Sequence, residues 1–225
     1  MNPDPLAQTL NSAEAVLFDF DGPIWSVFDG YPAPQITREL LGLARRIRGE
    51  LAPAREEASS PHELLLAAAP DLELAQRLEA ALQRAELEAI ETAKPTLGAA
   101  ESVAACTASG RLVAVVSNNY ALAVNEYLAR TGLAKSVTYV EGRNPADPKL
   151  MKPDPHLPQR AISVIGIRAS SCVFVGDQTT DIGAGQAAGI PTIGYANKPG
   201  KVESLKGAGA DAVLTTMLDL ASALC

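Results

Sequence analysis

Two aspartates one residue apart close the run Val16-Leu17-Phe18-Asp19-Phe20-Asp21-Gly22. Side chains at i and i+2 share a face while the chain stays extended, so both acids stand on one side where the apolar run breaks. Asp19 is placed to act as nucleophile and metal ligand. Asp21 beside it can protonate a leaving oxygen and then activate water. An Asp-Gly pair after an apolar run is also a common turn signal.

Three further segments repeat the pattern of a strand end followed by polar residues. Val113-Ala114-Val115-Val116-Ser117-Asn118-Asn119 ends in a hydroxyl and amides before a helix near 121–129. A hydroxyl and backbone N–H groups at a helix start can hold phosphate oxygens, although capping the helix is the commoner fate of residues such as Ser117 and Asn118. Lys152, in Lys149-Leu150-Met151-Lys152-Pro153-Asp154-Pro155, stands on a proline-rich loop that leads into a helix. A fixed ammonium there would neutralise phosphoryl oxygens and offset the repulsion between an anionic nucleophile and an anionic substrate. Lys149 is the plain comparison, and the residues alone do not separate the two. Val173-Phe174-Val175-Gly176-Asp177-Gln178-Thr179-Thr180-Asp181 again runs from a strand into glycine and two carboxylates. Mg²⁺ favours a few carboxylates plus waters and phosphate oxygens. Asp177 is the expected direct ligand and Asp181 a ligand or its support, with a first-turn helix acid as the plainer reading of Asp181.

These groups can act together only if their strand ends meet. From about residue 97, β-branched runs alternate with helical patterns, the rhythm of β-α-β units feeding a parallel sheet. Strands are expected at Ala15–Phe18, Leu112–Val116, 137–140, 172–175, 192–194 and Ala212–Leu214. Gly132 follows one helix, Asp154-Pro155 opens another, and Gly189 with Pro191 closes a third. The fold class is therefore α/β, a doubly wound parallel sheet of Rossmann-like type, in which ligands bind beyond the carboxyl ends of the strands.

Between Pro32 and Ala93 the β-branched runs stop, and Ala, Leu, Glu and Arg recur at helical spacing. This predicts an inserted helical domain with helices near 35–49, 61–69 and 72–93. Ser60-Pro61-His62-Glu63 supplies a cap residue, a first-turn proline and a glutamate at the third position. The charged residues of the insert are expected on solvated faces. His62, second in a capped helix, is expected to be solvated or capping, and His156 structural.

The chain has 225 residues, long enough for one core domain with a modest insertion. Its net charge of -7, from 19 Lys plus Arg against 26 Asp plus Glu, repels a polyanion, and with no basic stripe a nucleic acid partner is not expected. The opening MNPDPLAQTL lacks the basic and apolar stretches of a secretory signal. No apolar run approaches the ~18 residues of a membrane span, so a cytoplasmic location without membrane contact is expected. Cys106, Cys172 and Cys225 are widely spaced and suit reduced core thiols rather than a disulfide framework.

Taken together, the four segments resemble the haloacid dehalogenase-like (HAD) hydrolase superfamily, whose pattern is Asp-x-Asp-Gly, a Ser or Thr, a Lys, and Gly-Asp-x-x-x-Asp. The likeness spans Val16 to Asp181 in order, and an insertion soon after the first motif resembles the cap of phosphoglycolate phosphatase-like members. It implies a HAD core over 1–30 and 95–225 and a helical cap over 31–94. It further implies a phosphatase that forms an aspartyl-phosphate on Asp19, with Asp21 as acid and base. Ser117, Asn118, Lys152 and Gly22 would bind phosphate. Asp19, Asp21 through its backbone carbonyl, Asp177 and Asp181 would surround Mg²⁺, and the substrate would be a small phosphorylated metabolite. Pro23 departs from the usual Thr or Val without removing a catalytic group. The retained Asp21 argues against a true dehalogenase. The lack of Lys between Asp21 and Lys94 removes the Schiff-base chemistry of phosphonoacetaldehyde hydrolases. A phosphomutase of the β-phosphoglucomutase type and a catalytically silent binding protein remain the alternatives.

Overall fold

The computed structural model describes residues 4–26 and 30–224. The strands are β1 (Ala15–Phe18), β2 (Trp25–Ser26), β3 (Lys94–Pro95), β4 (Leu112–Val116), β5 (Tyr139–Glu141), β6 (Cys172–Gly176), β7 (Thr192–Tyr195) and β8 (Ala212–Leu214). Helix α1 (Pro5–Leu10) precedes the sheet, while α2 (Ala33–Arg48), α3 (Pro53–Glu56), α4 (Pro61–Ala68) and α5 (Leu72–Thr92) lie between β2 and β3. Helices α6 (Ala99–Ala108), α7 (Ala121–Thr131), α8 (His156–Ile165), α9 (Thr179–Ala187), α10 (Lys201–Gly207) and α11 (Met217–Leu224) alternate with the remaining strands.

Six strands form one parallel sheet in the order β5-β4-β1-β6-β7-β8, as expected for an α/β core. Continuous apolar strands arise because both faces are covered. Val16, Phe18, Val113, Val115, Val173 and Val175 join one buried cluster, and Ala15, Leu17, Ala114, Val116, Cys172 and Phe174 join another. The strand expected at 137–140 is paired at Tyr139–Glu141 instead, because its ladder follows Ala114–Val116 in register. The chain passes to β4 on one side of β1 and to β6 on the other. That reversal opens a crevice at the strand ends.

The insert holds four helices where three were expected. The extra one, α3, is a single turn opened by Pro53, too short for periodicity to reveal. Ile36, Leu40, Ala44, Leu64, Leu65, Leu74, Leu78 and Leu82 form an apolar cluster of their own, which Met151 joins from the loop after β5. The chain leaves and returns through a short antiparallel ladder, with Trp25 opposite Pro95 and Ser26 opposite Lys94.

No helix among the described residues is long and apolar enough to cross a membrane. Cys106 and Cys172 are buried free thiols, and burial pushes them up to about 12 and about 11 respectively. Cys225 lies outside the described residues.

Candidate active site

β1, β4 and β6 end side by side, and the residues that follow them line a cavity of about 890 Å³. Asp19, Asp21, Ser117, Asn118, Lys152, Asp177 and Asp181 all face it. These residues span more than 160 positions, and the parallel sheet gathers them.

Lys152 is the hub. Its Nζ lies 2.7 Å from Asp19 Oδ1 and 2.7 Å from Asp181 Oδ1, and it also donates to the Val116 carbonyl at 3.1 Å. Asn118 fixes the lysine's backbone, accepting from Lys152 N at 2.9 Å and donating to Lys152 O at 3.2 Å. Lys149 is exposed at the rim of the same cavity, so burial separates the two lysines that the residues alone did not. Ser117 Oγ donates to Asn119 Oδ1 at 2.9 Å and accepts from Asn119 N at 3.1 Å. Neither Ser117 nor Asn118 caps α7, whose N-cap is Tyr120. Asp181 is the first-turn acid of α9, and its second oxygen is turned into the site. Its Oδ2 accepts from Gln178 N at 2.9 Å in the first turn of α9, while Oδ1 faces Lys152.

Asp19, Asp177 and Asp181 are buried and present carboxylate oxygens that all lie within 4.8 Å of one another. Burial raises the Asp19 carboxyl, the Lys152 ammonium lowers it, and Asp181 and Asp177 raise it again, leaving it well above the ordinary carboxylate range. Burial likewise raises Asp177 against the pull of Lys201. Asp177 Oδ2 accepts from Asn197 Nδ2 at 3.0 Å and from Lys201 Nζ, whereas Oδ1 is buried with no hydrogen-bond partner. Three carboxylates against two ammonium groups leave a negative excess, and one oxygen is unspent. This donor set fits a hard divalent cation.

Gly22, expected to bind phosphate, has its backbone groups engaged within the protein. Its N–H donates to the Trp25 carbonyl at 2.5 Å, its own carbonyl accepts from Thr96 Oγ1 at 2.6 Å, and it does not line the cavity. The glycine makes room instead. It sits at φ +113°, and a Cβ there would come within 2.5 Å of Asp177 Cγ.

One expectation for the insert is corrected. Glu79 and Glu86 on α5 are not on a solvated face: both are buried, Glu86 completely. Arg143, after β5, lies 2.9 Å from Glu79 and 2.7 Å from Glu86. Glu86 also accepts from Asn119 Nδ2 at 3.0 Å and Tyr120 N at 3.2 Å. A buried guanidinium satisfies charges that could not otherwise be taken out of water. His62 does not cap α4, because Ser60 is the cap; its partly exposed imidazole lines the cavity with Nε2 buried 3.8 Å from Glu86 Oε1. Arg38, Arg45, Arg46, Arg77 and Arg84 of the insert do not line the cavity. Arg143, Lys201 and Asn197 escaped the sequence reading. The readable signal was on α5, where Glu79 and Glu86 recur seven apart among Leu78, Leu82, Ala85 and Ala89, on a face that must be buried.

A family model for haloacid dehalogenase-like hydrolases matches residues 13–189. The chain belongs to this family. Among haloacid dehalogenase-like relatives, a plasmid phosphoglycolate phosphatase of Cupriavidus necator is 38% identical over 112 residues, 48% of this chain. The chain spans only 45% of that relative's length. A phosphoglycolate phosphatase of Xylella fastidiosa is 30% identical over 202 residues, covering 84% of this chain and 83% of its own. In fold, the chain is similar to a hydrolase from Pseudomonas syringae, with a TM-score of 0.69 at 20% identity over 93% of this chain and 96% of that one.

Proposed function

We propose that this protein is a Mg²⁺-dependent phosphatase that cleaves a small phosphate monoester through an aspartyl-phosphate on Asp19. The observation that carries this reading is Asp19 itself, buried at the end of β1, 2.7 Å from the Lys152 ammonium and within 4.8 Å of two further carboxylates. The names of the relatives make 2-phosphoglycolate the first substrate to test.

An Asp19 oxygen attacks phosphorus, the ester P–O bond breaks, and Asp21 protonates the departing oxygen. Asp21 then takes a proton from the water that attacks the aspartyl-phosphate, releasing inorganic phosphate and restoring Asp19. Lys152, the Ser117 hydroxyl and backbone N–H groups near Asn118 hold the phosphoryl oxygens. Asp19, the Asp21 carbonyl, Asp177 and Asp181 would hold Mg²⁺. When bound, the ion supplies charge to offset that developing on the transferring group. Residues 31–94 serve as a cap that walls the site from bulk water, over a core of 1–30 and 95–225. The substrate is accordingly a small phosphorylated metabolite of the cytoplasm.

Hydrolysis of an aryl phosphate with and without Mg²⁺, beside Asp19→Asn prepared identically, tests the reading. Metal-dependent turnover lost in the variant is expected. Equal turnover in both would exclude Asp19 as nucleophile, and phosphoryl transfer to a sugar phosphate without release of phosphate would favour a mutase.

A further inference from the structure

Three groups on the insert's wall of the cavity are polar: Ser60, His62 and Glu63. Ser60 Oγ is used by Glu63 N at 3.2 Å, and Glu63 Oε2 is used by Ser59 N at 2.8 Å and Ser59 Oγ at 2.7 Å. His62 is different. Its Nε2 is buried without a hydrogen-bond partner, and the nearest acceptor, Glu86 Oε1, is 3.8 Å away and already serves Arg143 and Asn119. Glu86 therefore offers His62 charge rather than a hydrogen bond. Glu79 and Glu86 oppose the single guanidinium of Arg143, so this buried group carries one negative charge in excess. His62 is the neighbouring side chain set against that excess.

Resting on the phosphatase reading above, we propose that His62 is the specificity-determining residue that binds an anionic group, a carboxylate, at the non-transferred end of the substrate. The imidazole and Lys152 line the same cavity, so a short ester with phosphate at one end and carboxylate at the other would engage both. Glu86 fixes the ring from behind, and Arg143 and Asn119 fix Glu86. Lys149, exposed at the rim, is the competing cation.

The test compares kcat/KM for 2-phosphoglycolate and for ethyl phosphate, which lacks the carboxylate, in the full chain with Mg²⁺. Wild type, His62→Gln and Lys149→Ala are measured side by side. Wild type is expected to prefer the carboxylated ester, and His62→Gln to cut that preference by about 10- to 100-fold, the scale of a lost hydrogen bond to a charged group. Lys149→Ala is expected to keep it. A partly unfolded variant loses rate on both esters alike and leaves the ratio untouched, so the ratio isolates recognition from folding. An unchanged ratio in His62→Gln, a wild type without preference, or a preference lost in Lys149→Ala instead would overturn the assignment while leaving the phosphatase reading intact. Turnover of neither ester, or turnover surviving Asp19→Asn, would overturn both.

Discussion

Lys152 Nζ lies 2.7 Å from Asp19 Oδ1, an ion pair closed between residues 133 positions apart. The same ammonium faces Asp181, so its removal strands two buried carboxylates. Lys152→Met is expected to lower kcat by about 100- to 1,000-fold. It should also lower stability by about 3–5 kcal/mol, seen as a lower urea midpoint. Mg²⁺ should recover part of the stability and little of the rate. A variant with wild-type kcat would remove Lys152 from the chemistry.

Lys201 and Asn197 hold Asp177 Oδ2 and leave Oδ1 buried without a hydrogen-bond partner. Groups that orient a metal ligand commonly contribute 10- to 100-fold to affinity. Lys201→Ala is expected to raise the Mg²⁺ concentration giving half-maximal activity by about 10-fold. Mn²⁺ binding followed by electron paramagnetic resonance checks the same loss without turnover, and unchanged binding would leave Lys201 with no part in orienting Asp177.

Burial raises the Glu86 carboxyl, but Arg143 and His62 more than offset this and hold it below the ordinary glutamate value of 4.5. A depressed carboxyl stabilises the fold above its unfolded value and loses that contribution as pH falls through the folded one. Wild type should therefore lose stability as the medium is acidified below about pH 4.5. Glu86→Gln should be less stable at neutral pH by about 3 kcal/mol and show a shallower acid limb. Denaturation curves between neutral and acid pH decide it, and parallel limbs would refute the pairing.

At Gly22 the left-handed backbone and the closeness of Asp177 act together. Gly22→Ala is expected to cost about 1–3 kcal/mol in backbone strain and to displace Asp177, weakening Mn²⁺ binding as well as lowering the melting temperature. A loss of stability with unaltered metal affinity would mean that Asp177 accommodates the methyl group.

The sheet was legible because its central strands bury both faces and so write themselves as apolar runs, and the acids at strand ends stood out where those runs broke. What stayed hidden depended on partners distant in sequence. Glu86 reads as one more helix charge until Arg143 is placed beside it, and His62 reads as a first-turn residue until α4 is set against the cavity. Gly22 was read by its company, whereas its reason is a side chain more than 150 residues away. Lys201 lies in a helix opened by Gly200, and neither its type nor its spacing marks it from Lys198 or Lys206.

The two-residue ladder at Trp25–Ser26 and Lys94–Pro95 makes the whole helical insert, topologically, the tip of one long hairpin. Closing such a loop depends only weakly on its length, by about 0.6 kcal/mol per doubling. Loop closure therefore sets little limit on adding or trimming helices beyond that ladder, provided the contacts that tie Glu79 and Glu86 to Arg143 are kept. The part that would select a substrate is thus free to drift faster than the part that would carry out the chemistry, and relatives sharing every acid of this site need share no substrate.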